Sequence, residues 1–245
     1  FKRQAKGCLP IGAVLTIAAA GSEMSQSSVI TNEDGWVKRG YSSNYCRPVF
    51  AVMDPELTMT LPSYQTACGC VDILMHTMER YFNHSGSMEI TDGIAEALMQ
   101  TVIRNAPIVM QYPDDYNARA EIMWAGSLSH NGLTDCGCDH GDWATHKMEH
   151  ELGGLFDVAH GAGLAAIWGS WARYVCDADY ARFARFATKV LNVAPQATDQ
   201  ETALAGIAAM EQFYRSIQMP TSLRELGVSP TEEQIQEMAR KCILA

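Results

Sequence analysis

An aspartate and a histidine four residues apart, Asp72-x-x-x-His76, two histidines at the same spacing, His146-x-x-x-His150, and then His160 are the groups in this chain best suited to chemistry. A spacing of four puts both members of a pair on one helix face, close enough to chelate one ion. A carboxylate and an imidazole from one helix, with imidazoles from elsewhere, make an oxygen/nitrogen ligand set. Such a set suits a divalent first-row metal, iron or zinc above all. If these groups converge, the chain is a metal-dependent enzyme.

Each cluster also has a plainer reading. Asp72 and His76 lie in Cys70-Val-Asp-Ile-Leu-Met-His-Thr-Met-Glu-Arg80, an otherwise apolar helical segment. A buried carboxylate is costly there unless it is paired or binds a metal, and an Asp–His hydrogen bond in a core helix would be enough. The second cluster weighs against that reading, because His146, His150 and His160 fall close together in a chain with only 7 histidines. Gly153-Gly154 and Gly161-x-Gly163 are expected to let the backbone fold His160 back toward the first pair. His84, His130 and His140 have no such company, and His140 reads as part of a loop. Trp143, Trp168 and Trp171 read as core or pocket lining.

Two other metal patterns compete. His146-Lys-Met-Glu149-His150 is formally H-x-x-E-H, a metallopeptidase pattern that would use Glu149 as base and a downstream glutamate such as Glu225 as third ligand. It leaves Asp72, His76 and His160 unexplained. The pairs Cys68/Cys70 and Cys136/Cys138 could together hold zinc, but C-x-C is tighter than the usual C-x-x-C knuckle. Cys68 and Cys70 also point apart if they lie on a helix. With 8 cysteines in 245 residues, a disulfide scaffold is a poor fit, and reduced thiols in a cytoplasmic protein are the preferred reading.

The elements that must position these groups change character partway along the chain. Residues 8–54 read as strand and loop: a strand over Pro10–Thr16, the loop Ala18–Glu23, strands at Ser28–Thr31 and Val49–Met53, and a polar turn at Asn32–Gly35. Lys2, Arg3 and Lys6 ahead of an apolar stretch resemble a secretory signal, but Pro10 and Gly12 interrupt it, and a buried strand over Ile11–Ile17 fits equally well. From Asp54 onward, helical periodicity covers Tyr64–Phe82, Met88–Met110, Asn117–Leu133, His146–Leu155, Gly163–Val175, Asp179–Leu191, Thr198–Ile217 and Thr231–Leu244. Ser63, Thr91, Asp179, Thr198 and Ser229, the last with Pro230 behind it, stand where caps are expected. The fold class is therefore mostly α: a short β/α segment followed by an all-helical domain. A net charge of −10 argues against nucleic acid or an anionic membrane as the main partner. No apolar run reaches the length of a membrane span, and no glycine-rich phosphate loop of the G-x-G-x-x-G or P-loop kind occurs.

Taken together, these pieces resemble the iron-containing (group III) alcohol dehydrogenase family, in particular its butanol dehydrogenase and aldehyde reductase branch. The resemblance runs through Thr16-Ile-Ala-Ala-Ala-Gly-Ser-Glu-Met-Ser25, Phe50-Ala-Val-Met-Asp54-Pro, Thr60-Leu-Pro62, Val71-Asp72-x-x-x-His76-Thr-x-Glu79 and Asp142-Trp-Ala-Thr-His146-x-x-x-His150-Glu-Leu, ending at Ala159-His160-Gly161. It implies Asp72, His76, His146 and His160 as metal ligands. It makes His150, which spacing alone would count as a ligand, a histidine beside the substrate that relays a proton or orients it. It places Thr16, Ser25, Ser27 and Lys38 near a nicotinamide nucleotide; Ile17, Ala19 and Ala20 stand where the wider family has Thr, Gly and Thr.

The implied fold is dehydroquinate synthase-like when complete. Residues 1–54 would be the end of a dinucleotide-binding domain and 55–245 the helical metal-binding domain. The chain would then be a fragment, with most of the nucleotide-binding domain before Phe1 and a short piece after Ala245. The implied function is NAD(P)-linked interconversion of primary alcohols and aldehydes, with a divalent metal (Fe2+ first, Zn2+ also suited) as Lewis acid on the substrate oxygen. A cytoplasmic homodimer or higher homo-oligomer is implied as well. The alternatives carried forward are a metal-binding hydrolase and a non-catalytic helical fragment.

Overall fold

The computed structural model describes residues 6–83, 86–139 and 141–243. His84, His140, Lys2 and Arg3, which figure in the sequence reading, lie outside the described residues. The chain opens with four strands, β1 (Gly12–Val14), β2 (Ser27–Asn32), β3 (Val37–Ser42) and β4 (Phe50–Val52). Eight helices follow among the described residues: α1 (Ser63–Tyr81), α2 (Glu89–Gln111), α3 (Tyr116–His130), α4 (Ala144–Phe156), α5 (His160–Val175), α6 (Tyr180–Val190), α7 (Asp199–Ser216) and α8 (Glu232–Ile243). The molecule is thus mainly helical with a few strands, as the periodicity predicts. No described helix is long and apolar enough to cross a membrane.

The strand region departs from expectation in two ways. β1 and β4 pair in parallel, Gly12 to Phe50 through Val14 to Val52, but the strand expected to be buried is open: Val14 and Phe50 are each 61% exposed. A two-stranded parallel ladder covers neither of its own faces, so apolar composition here does not mean burial. The polar turn at Asn32–Gly35 proves to be the bend of an antiparallel hairpin, β2 with β3, in the register Asn32↔Val37 to Ser27↔Ser42. The return strand Val-Lys-Arg-Gly-Tyr-Ser was not anticipated, because two cations and a glycine dilute its alternation.

The helical part is built around α1, which is buried from Thr66 through Tyr81. α1 packs against α2, α3 and α5, while α4 joins α5 to α8 and to the β2–β3 hairpin, and α6 lies along α7. A helix buried on all sides is normally apolar throughout. This one carries Asp72, His76, Glu79 and Arg80, and each of these must find a partner. At the helix ends, Asp179 caps α6 and Thr198 caps α7 in a capping box with Glu201, as expected. Ser63, Thr91 and Ser229 do not cap. Pro62 precedes α1 with no side-chain cap, α2 begins before Thr91, and Thr231 takes over at α8 by accepting from the Gln234 amide at 3.3 Å.

One ionic cluster holds α1, α2 and α6 together. Arg182 grips both carboxylate oxygens of Asp92 at 2.6 and 2.5 Å, bonds the Tyr81 carbonyl, and lies 3.8 Å over the Tyr81 ring. Arg182→Ala should destabilise the fold by about 3–5 kcal/mol, since it leaves the buried Asp92 carboxylate with only the more distant Arg185, 3.4 Å away. The Arg182→Met/Asp92→Asn pair should recover most of that loss, and both variants should keep their metal-binding stoichiometry. Denaturant melts beside elemental analysis check this.

Candidate metal centre

Asp72 and His76 face the same side of α1. α4 brings His146, Glu149 and His150, and His160 is the first residue of α5. The turn between α4 and α5 is made by Asp157 in the left-handed region (φ 51°) rather than by the glycines. Gly153, Gly154, Gly161 and Gly163 all lie inside helices, and they serve close packing instead. A Cβ on Gly161 would come 2.1 Å from the Cys68 carbonyl oxygen, so the bare glycine is what lets α5 press His160 onto α1. The other end of α4 is also unusual: Trp143 sits at φ 59°, a costly conformation for a bulky residue. Its ring is stacked under Arg80 at 4.6 Å.

Three of the four expected ligands converge. A carboxylate oxygen of Asp72 and ring nitrogens of His146 and His160 all lie within 4.8 Å of one another. His146 Nε2 and His160 Nε2 stand 3.7 and 3.6 Å from Asp72 Oδ1. His76 stands beside this set, with Nδ1 3.4 Å from Asp72 Oδ1 and its ring 4.7 Å from that of His146, but no nitrogen of it joins the mutual cluster.

The other ring nitrogens explain the orientation. His76 Nδ1 donates to the Asp72 carbonyl at 2.9 Å, and a carbonyl can only accept. His146 Nδ1 donates to Glu79 Oε1 at 2.9 Å, and the same oxygen takes the His146 amide at 3.0 Å. His160 Nδ1 donates to Glu149 Oε2. All three imidazoles are therefore turned with Nδ1–H toward an outer acceptor and Nε2 toward the centre, the orientation that outer partners impose on metal-binding histidines.

Asp72 Oδ1 and His146 Nε2 are buried and have no hydrogen-bond partner. Unpaired polar atoms are rare in a packed interior. Two of them aimed at the same point fit a divalent cation, and the ligand atoms suit iron or zinc. The electrostatics agree. Burial opposes the Asp72 charge, yet His76, His146 and His160 hold its carboxyl well below the usual carboxylate range. Burial likewise opposes a charged His146, but Asp72 and Glu79 raise it to about 9.

His150 lies at the edge, its ring 5.7 Å from His160 and 6.4 Å from His146. Burial first, then the neighbouring His160, pushes it down to about 3. Of the two roles the resemblance implies for His150, a neutral imidazole of this kind suits the orienting, hydrogen-bonding one. His130, expected to stand alone, does not. Its ring is 4.1 Å from that of His76, and Arg80 donates to its Nδ1 at 2.9 Å. Arg80 also bonds the His76 carbonyl at 2.7 Å and Asp135 at 2.7 Å. Arg80, His130 and Trp143 thus form one wall of the centre. Of these, the sequence reading marks Trp143 as core or pocket lining; it assigns no role to Glu79, Arg80 or His130, although two charges on an apolar helical segment are a signal that could have pointed to Glu79 and Arg80.

The rival patterns do not assemble. Glu149 is committed to His160 and to Lys38, whose Nζ is 3.1 Å away. Glu149, His150 and His160 also lie within reach of one another, but Glu225, the third ligand that the H-x-x-E-H pattern needs, bonds the Thr221 amide and hydroxyl and lies outside both groups. Cys68 meets Met219, whereas Cys136 and Cys138 bond carbonyls of their own loop, and no cysteine joins a ligand cluster among the described residues. On the expected cofactor side, Thr16 and Ser27 are exposed, and Ser25 is buried with its Oγ accepting the Ser27 amide at 2.9 Å. The Ser27 hydroxyl is shared with that of Ser42 at 3.2 Å, and Lys38 points inward to Glu149.

A mainly helical domain that aims a buried carboxylate and imidazole Nε2 atoms at one point has the layout of a metal site of the oxygen/nitrogen-ligand class. The chain belongs to the iron-containing alcohol dehydrogenase family: the family model described as Fe-containing alcohol dehydrogenase family, C-terminal, matches residues 66–245, and that described as iron-containing alcohol dehydrogenase matches residues 1–55. Among its relatives is the NADH-dependent butanol dehydrogenase A of Clostridium acetobutylicum, 39% identical over 96% of this chain and 60% of that protein. The NADPH-dependent aldehyde reductase YqhD of Escherichia coli is 35% identical over 92% of this chain and 58% of that protein. The crystal structure of NADH-dependent butanol dehydrogenase A from Thermotoga maritima superposes with a TM-score of 0.93 at 38% identity, over 99% of this chain and 60% of that one. The chain spans about three fifths of the length of these relatives.

Proposed function

We propose that this chain carries the metal-binding side of an NAD(P)-linked oxidoreductase that interconverts primary alcohols and aldehydes. The observation that carries the reading is the convergence of Asp72 Oδ1, His146 Nε2 and His160 Nε2, two of them buried and unpaired. The names of the relatives supply the reaction class. Asp72, His76, His146 and His160 would hold the divalent ion, which when bound supplies Lewis-acid polarisation of the substrate oxygen. Nicotinamide, approached by Thr16, Ser25, Ser27 and Lys38, would supply or receive hydride. In this reading residues 1–54 serve the nucleotide side and residues 55–245 the metal side, in a protein that assembles as a homodimer or higher oligomer.

The chain's own residues do the rest. Glu79 and Glu149 fix the two imidazoles before any ion arrives, so the ligand geometry is preorganised. The wall of Arg80, Trp143 and His130 packs against His76, and Trp143 also against His146, shielding that side of the centre from water. His150, neutral and close to His160, hydrogen-bonds the substrate oxygen and so orients the alcohol or aldehyde. Given metal, butanal and NADH or NADPH, the protein that carries this chain together with its nucleotide-binding part should consume reduced nicotinamide, seen as falling absorbance. His150→Ala should slow turnover by about 100-fold, the range expected of a lost catalytic hydrogen-bonding group, with metal content unchanged. Undiminished turnover in His150→Ala would remove that residue from the reaction, and no nicotinamide oxidation by the metal-loaded protein with its nucleotide-binding part present would refute the proposed activity.

A further inference from the structure

Glu149 has no exposed side-chain surface, and two groups share its carboxylate. His160 Nδ1 donates to Oε2, and Lys38 Nζ, reaching in from β3, lies 3.1 Å from Oε2 and 3.5 Å from Oε1. The helices around this junction are cut away to admit it. A Cβ on Gly153 would fall 2.6 Å from Glu149 Oε1 and 2.9 Å from Lys38 Nζ, and a Cβ on Gly163 would fall 2.9 Å from Glu149 Cγ. Glycine is a poor residue for a helix interior, so these two positions are occupied for the space they leave. The hairpin is held at the same place by Arg39, which pairs with buried Glu151 of α4 at 2.6 Å. Lys38 is therefore fixed on Glu149 and is not a loose surface cation.

We propose that Glu149 is a positioning residue whose charge is divided between Lys38 and His160, so that Glu149 strengthens and Lys38 weakens metal binding. The physics follows from the sharing. A carboxylate accepting from imidazole Nδ1–H makes Nε2 a better donor to a cation. An ammonium on the same oxygen draws off part of that charge. Removing Lys38 leaves the whole charge facing His160, and removing the charge of Glu149 leaves His160 without that polarisation. Because Lys38 lies on the side proposed to meet the nicotinamide nucleotide, this junction ties that side of the protein to the metal centre. The proposal rests on the metal-centre reading above.

The test is Zn2+ affinity, measured by competition with a chromophoric chelator on the full chain, with the visible spectrum of the Co2+ form as a second readout. Glu149→Gln should weaken Zn2+ binding about 10–100-fold, and Glu149→Asp, which keeps the charge but withdraws it from His160, should weaken it in the same direction. Lys38→Met should tighten binding about 5-fold or more. The Lys38→Met/Glu149→Gln double variant should match Glu149→Gln alone, because Lys38 acts only through Glu149. Unchanged Zn2+ affinity and Co2+ spectrum in both Glu149 variants, or weaker binding in Lys38→Met, would overturn the proposal. If instead wild type binds no more Zn2+ than a His160→Ala control, it is the metal-centre reading that fails.

Discussion

Asp72→Ala should leave a folded chain that has lost its metal. Asp72 contributes the oxygen on which His146 Nε2 and His160 Nε2 converge, and the charge that makes a cation welcome in a buried site. Losing an outer partner of a metal ligand typically costs 10–100-fold in affinity, so loss of this ligand should cost more than about 100-fold. The fold should survive, because α1 is anchored along its whole buried length by apolar neighbours such as Val71, Leu74 and Met75, and alanine is a good helix former. Elemental analysis against wild type, with circular dichroism of both metal-free chains, checks the result. Retention of stoichiometric metal by Asp72→Ala would mean that the ion binds elsewhere.

The second large effect comes from a methyl group. Gly161→Ala places a Cβ 2.1 Å from the Cys68 carbonyl oxygen and 2.6 Å from its carbon, and both are backbone atoms that no rotamer change can move. The first turn of α5 must back away from α1 by about 1 Å, and His160 goes with it while Asp72 stays. Displacements of that size in a catalytic geometry cost about 100-fold in rate, and overpacking of this kind costs about 1–3 kcal/mol in stability. The variant should therefore lose metal affinity and activity out of proportion to its drop in melting temperature. A stability loss with metal affinity intact would show that α1 and α5 need not touch here for the site to form.

The two halves of the chain differ in how much of this the sequence reveals. The helices are legible because their apolar positions recur with the helical period and Asp179 and Thr198 cap them. The strands are less so: β3 is diluted by Lys38, Arg39 and Gly40, and β1 is apolar yet exposed. The ligand pairs are legible because their i, i+4 spacing is itself a geometric statement. The convergence of Asp72, His146 and His160 is not, since it depends on how α5 crosses α1. Glu79 and Arg80, charges on a segment that otherwise reads as apolar, are given no role by the sequence reading, and the structure turns both toward the centre. His130 and the Lys38–Glu149 contact are tertiary facts, and no local pattern announces a pair of residues 111 positions apart. The glycines illustrate the limit: composition suggested turns, whereas the helices use them for clearance.

X-ray absorption at the edge of the bound metal tests the central claim most directly. For Asp72, His76, His146 and His160 the spectrum should show only nitrogen and oxygen neighbours, at about 2.0–2.2 Å for zinc, with the outer-shell scattering of imidazole rings. A sulfur shell near about 2.3 Å would move the metal to the cysteine pairs and contradict the account.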